Sequence, residues 1–99
     1  MKKLTIAVAA TVMMASPVFA GDIAKGKEKS VTCGACHGVT GISPSPMYPN
    51  LAGQQEQYLY KQLKDFKSGA RKDQMMSGMA IPLTDEDMKN LAAYYASLK

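Results

Sequence analysis

The chain has 99 residues, a formal net charge of +4, 46% hydrophobic residues, two cysteines and one histidine. That length allows one small domain, which needs a staple because so short a chain buries too little apolar surface to be comfortably stable. One histidine and two cysteines exclude a four-ligand Cys/His zinc site and a disulfide-rich scaffold, and no Lys/Arg run exceeds two, which excludes a basic nucleic-acid arm.

The first element is an address. Lys2 and Lys3 form a positive start, and residues 4–15 are uncharged and mostly apolar. Ser16 and Pro17 break the run, and Val18-Phe19-Ala20 places small residues where a processing enzyme requires them. This is the three-part pattern of a secretory signal peptide, with cleavage expected after Ala20. The 12-residue run is short of the roughly 20 residues that span a bilayer, so no stable membrane insertion is expected after cleavage. The remaining domain, residues 21–99, has 79 residues, 10 basic against 8 acidic, and a net charge of +2.

The rest of the chain reads as all-helical. A first helix is expected from Asp22 to Thr32, with Asp22 as N-cap and Ile23, Gly26, Ser30 and Val31 on one face. Residues 38–53 hold Pro44, Pro46 and Pro49 and read as a loop. A second helix is expected from Gln54 to Ser68, with Leu59, Leu63 and Phe66 as its apolar stripe, Tyr58 alongside, and Gly69 as the residue after its end. Residues 68–83 hold Gly69, Gly78, Pro82 and three methionines and read as a second loop. Thr84-Asp85-Glu86-Asp87 is a variant capping box, with Asp in the usual Glu position, and Met88, Leu91, Ala92, Tyr95 and Leu98 then recur at helical spacing. Two loops this long in so small a domain make sense only if they wrap a large non-protein body.

Cys33-Gly34-Ala35-Cys36-His37 supplies that body, since C-x-x-C-H reads as a c-type haem attachment site. On a helical turn, positions i, i+3 and i+4 share a face, so both thiols reach the vinyl groups of one porphyrin while the imidazole reaches its iron. Three other readings are weaker. A disulfide between Cys33 and Cys36 closes a tiny loop, a thioredoxin-like pair wants strands, and a zinc site wants acidic partners that are not evident. His37 is the only histidine, so a second axial ligand has to be something else, and methionine is the usual partner. Met88 lies on the apolar stripe of the last helix and reads as core, and Met47 reads as a packing residue. Met75, Met76 and Met79 are the candidates in the second loop.

The chain resembles a short class I cytochrome c of the bacterial cytochrome c-553 type, and either half of the periplasmic dihaem cytochromes c. The resemblance is carried by Gly26, CGACH, PMYPNLAGQ at 46–54, YLYKQLKDFKSGAR at 58–71, MMSGM at 75–79 and LTDEDMKNLAAYYASL at 83–98. It implies a small all-α class I cytochrome c fold, with three main helices and two long loops around one covalent haem c. In that family the ligand methionine lies seven residues before the leucine opening the last helix. That rule points to Met76, with Met79 as runner-up, as the iron ligand opposite His37. The resemblance also implies that the Pro49 carbonyl meets the other nitrogen of His37, that Gly26 lies where the first and last helices cross, and that Gln54, Tyr58 and Arg71 are candidates for haem propionate contacts.

The function so implied is a soluble, monomeric periplasmic electron carrier, not an enzyme. It would shuttle single electrons between respiratory redox partners by transient docking, steered by Lys25, Lys27, Lys29, Lys61, Lys64, Lys67 and Lys72. The competing function is a haem-based ligand-binding or peroxidase-like protein with a displaceable sixth ligand.

Overall fold

The structure is a computed structural model that describes residues 21–98, and the expected leader at residues 1–20 lies outside them. Five helices follow in order: α1 (Ile23–Lys29), α2 (Val31–His37), α3 (Glu56–Ser68), α4 (Gln74–Ala80) and α5 (Asp85–Ser97). The described residues contain no strand. No helix among them is long and apolar enough to cross a membrane.

α5 is the centre of the domain. Its start is held by the expected capping box: Thr84 Oγ1 accepts from Asp87 N–H at 3.0 Å, and the Asp87 carboxylate accepts from Thr84 N–H at 3.0 Å. Acidic residues crowd its first turn, where the helix dipole favours them. Met88, Asn90, Leu91, Ala92, Ala93, Tyr94 and Tyr95 are all buried, more than one apolar stripe would need. The reason is that α1 and α3 both pack on α5. Leu59 of α3 joins Leu91, Ala92, Tyr94 and Tyr95 in the core, with Leu51, Leu63, Leu83, Leu98 and Cys33 packed around them.

α1 crosses α5 at Gly26. A Cβ there would lie 2.0 Å from Asn90 O and 2.7 Å from Tyr94 Cβ, so only glycine allows this approach. The crossing is tied by Asp22 N–H donating to Asn90 Oδ1 at 2.7 Å and flanked by ion pairs Lys25–Glu86 at 3.9 Å and Lys29–Asp87 at 3.5 Å.

Two expectations need correction. The single helix expected from Asp22 to Thr32 is two helices that meet at Ser30. The Ser30 hydroxyl donates back to Lys27 O at 2.7 Å, a side-chain donor that competes for a helix carbonyl at the junction. Gly26 and Ser30 are buried as expected, but Ile23 and Val31 are exposed, because the contact with α5 is narrow. The stretch expected to be the second loop contains α4. Its N-cap is Asp73, whose carboxylate accepts from the N–H groups of Met75 and Met76 at 3.0 and 2.9 Å, and Ala80 is fully buried. The fold is therefore all-helical with five helices instead of three.

Candidate functional site

The chemistry gathers around α2. Its seven residues, VTCGACH, put Cys33, Cys36 and His37 on one helical turn. Both cysteines are free and half-buried. Cys33 packs against the core, where burial pushes its thiol up, opposed by the Tyr95 and Thr32 hydroxyls beside it. The Tyr95 hydroxyl is itself pushed up, first by burial and then by the neighbouring Cys33. The free thiols do not form the disulfide weighed above. Among the described residues there is no group of three or more His, Cys, Asp or Glu placed to hold a metal ion.

His37 is 6% exposed. Its Nδ1 lies 2.8 Å from the Pro49 carbonyl oxygen. Nε2 has no hydrogen-bond partner among the described residues, so the imidazole is held by one nitrogen and presents the other. Tyr48 adds an edge contact, its ring centroid 6.3 Å from that of His37 at 67°.

The proline loop delivers these contacts through its own backbone closure. Gly41 O accepts from Leu51 N–H at 2.8 Å and Ala52 N–H at 3.0 Å, and Ser43 N–H donates to Asn50 Oδ1 at 2.6 Å. Gly53 N–H then donates to Tyr95 O at 2.9 Å, fixing the far end of the loop on α5. The loop starts with Gly38 at φ 90°, and a Cβ there would lie 1.9 Å from Ile42 O. A side chain at that position would be strained and would obstruct the turn.

The thioether candidates sort by exposure. Met88 is 3% exposed, in the core as expected. Met47 is 80% exposed on a turn closed by Ser45, so it is not the packing residue expected from sequence. On α4, Met75 and Met79 are 58% and 39% exposed, whereas Met76 is half-buried. Met76 lies one turn before the buried Ala80, on the same face of α4. α2 packs on α1 and α4 on α3, and no Cα of α2 comes within 8 Å of one in α4.

The expected propionate candidates fall in different settings. Gln54 is exposed and its Oε1 accepts from Gln55 N–H at 3.0 Å. Tyr58 is 46% exposed. Arg71 donates to Gln62 Oε1 at 2.5 Å and lies over the Phe66 ring at 4.5 Å, so a propionate contact would require it to leave Gln62. Sequence reasoning missed Tyr48 and Asp73 as parts of the site. Asp73 was detectable as an N-cap before Gln74-Met75-Met76, whereas Tyr48 becomes visible only once the loop is folded onto His37.

Two free thiols three residues apart, an adjacent imidazole with a nitrogen to offer and a half-buried thioether on a separate helix form a donor set that fits a covalent haem. The comparisons agree. Residues 23–99 match the cytochrome c family, and the chain belongs to it. Its cofactor is haem c with its iron. Among its relatives, cytochrome c4 of Pseudomonas aeruginosa is 51% identical over 80 residues, covering 81% of this chain and 40% of the relative. Cytochrome c-553 of Helicobacter pylori is 38% identical over 103 residues and covers 100% of both chains. The crystal structure of reduced recombinant cytochrome c4 from Pseudomonas stutzeri superposes with a TM-score of 0.77 at 49% identity, covering 81% of this chain and 47% of that one. The chain thus spans about two fifths of the length of the Pseudomonas aeruginosa cytochrome c4.

Proposed function

We propose that this chain is a periplasmic monohaem electron carrier, exported by a signal peptide at residues 1–20 that is then removed. It passes single electrons between respiratory redox proteins. Cys33 and Cys36 form the thioether links, and His37 and Met76 are the axial iron ligands. The observation that carries this reading is the His37 imidazole: buried, held at Nδ1 by Pro49 O at 2.8 Å, and beside two free thiols.

Bound haem supplies the one-electron ferric–ferrous couple. The chain supplies everything else. The Pro49 carbonyl fixes the tautomer and orientation of His37 and raises its basicity, as second partners of ligating histidines do. The Met76 thioether favours the reduced state and so raises the potential. His37 and Met76 would together hold the iron through protein side chains and leave no place on it for substrate, which favours a carrier over an enzyme. Gln54 and Tyr58, at the entrance to α3, are the polar neighbours proposed for the propionates, and Arg71 would join them only by releasing Gln62.

Partners dock weakly and transiently, as redox encounters do. Lys25, Lys29 and Lys61 are engaged in ion pairs at the surface, which leaves their charge available to a long-range field but limits their freedom.

The test is optical. Ferric holoprotein should show a far-red methionine–iron charge-transfer band, and the ferrous form should bind CO slowly. A high-spin ferric spectrum with prompt CO binding would instead establish the ligand-binding alternative. Met76→Ala should abolish the band and Met79→Ala should keep it, while the reverse pattern would move the ligand to Met79.

A further inference from the structure

α4 carries Met75, Met76 and Met79 on only seven residues, too short a helix to persist without outside support. It packs on α3 and on no other helix. Asp73 closes its N-terminal end. The carbonyls beyond its C-terminal end are bound by a side chain from elsewhere. Lys67, in the last turn of α3, donates from Nζ to Ile81 O at 2.5 Å and to Leu83 O at 2.7 Å. Among the described residues, Lys67 is the only side chain that bonds the backbone at 81–83 to another helix. An ammonium between two carbonyls at a helix C-terminus is both charge-assisted and favoured by the dipole.

We propose that Lys67 is a positioning residue for the axial thioether. By strapping the Ile81 and Leu83 carbonyls to α3, it holds α4 in the place from which Met76 reaches the iron. The proposal rests on the assignment of Met76 above. Without the strap, α4 keeps its N-cap and the buried Ala80, and its far end keeps the packing of Leu83 on the core but loses its side-chain hydrogen bonds to α3. The Met76-off state then becomes more populated, and any competing ligand gains by the same factor.

The experiment uses mature ferric holoprotein titrated with imidazole, with displacement read as loss of the far-red band. Lys67→Met should bind imidazole on the order of tenfold more tightly, the scale expected when charge-assisted hydrogen bonds are removed from one of two states. Lys67→Arg should restore much of the difference. Lys61→Met removes an equal charge from the same helix but only an Asp65 pair, and should behave like the unmodified protein. Urea midpoints measured on all three separate a local opening of α4 from general destabilisation. Equal imidazole affinity in Lys67→Met and the unmodified protein would overturn the proposal, as would an equal gain in Lys61→Met, which would trace the effect to charge alone. Met76→Ala is the check on the underlying assignment: a band that survives it refutes Met76 as ligand, and the strap as stated falls with it.

Discussion

Gly26→Ala tests the packing of the domain at its tightest point. The added Cβ would sit 2.0 Å from Asn90 O, 2.6 Å from Asn90 C and 2.7 Å from Tyr94 Cβ. Ordinary C···O contact needs about 3.3–3.6 Å, so α1 and α5 would have to part by roughly 1.3–1.6 Å at the crossing. The obstructing atoms are backbone and Cβ, which cannot rotate aside. Overpacking of this kind costs about 1–3 kcal/mol, and the rigid obstruction places this case in the upper part of that range. Alanine recovers about 0.5–1 kcal/mol through its better helix propensity. The net loss is then about 1–2.5 kcal/mol, or roughly 4–20 °C in Tm for a domain of this size. Thermal unfolding of the mature holoprotein, followed by far-UV circular dichroism, measures it. Gly78→Ala is the matched control, because a Cβ there meets no protein atom within 4 Å. It should gain about 0.5–1 kcal/mol from propensity alone. If Gly26→Ala melts at or above the unmodified protein, the crossing is not the constraint described and the reasoning fails.

Three further outcomes are expected. His37→Ala should accumulate little mature holoprotein, measured by haem staining of periplasmic extracts, because the iron loses its anchored ligand and the domain its staple. Thr84→Ala should lose about 1 kcal/mol in urea unfolding, the usual contribution of such a cap. Acid should act on the same cap. The bond from Thr84 N–H holds the Asp87 carboxyl below the usual carboxylate range, helped by the Thr84 hydroxyl and Lys29. A depressed carboxyl stabilises the fold above its unfolded value of about 3.9, and that contribution is lost as pH falls through the lower folded value. Asp87→Asn should therefore flatten the stability curve below about pH 4, measured as urea midpoints in an acid series.

What could be read from the sequence was what is local. The C-x-x-C-H spacing, the Thr84–Asp87 box, the end of α3 at Gly69 and the apolar period of α5 each depend on residues within a few positions of one another. They stand in the structure where the sequence places them. The misreadings have the opposite character. α4 is only seven residues long, with Ser77 and Gly78 at its middle, and Gly78 argues against a helix. It is held by the Asp73 cap, the burial of Ala80, its contact with α3 and the Lys67 bonds to its trailing carbonyls. The break at Ser30 depends on one hydroxyl choosing Lys27 O. The exposure of Met47 and the contact of Tyr48 with His37 follow from the path of the proline loop, which short-range preferences do not determine.

The clasp between α1 and α5 also fixes when the protein can fold. Asp22 is bonded to Asn90, 68 positions later, and the core cluster draws four of its five buried members from α5. During synthesis, α1 and α3 must wait for α5 before they have their main surface to rest on. The growing chain is thus held open by its own topology until α5 has been made. On the proposed route of export, that delay keeps it threadable through a translocation pore and defers closure until cysteines, histidine and haem share one compartment.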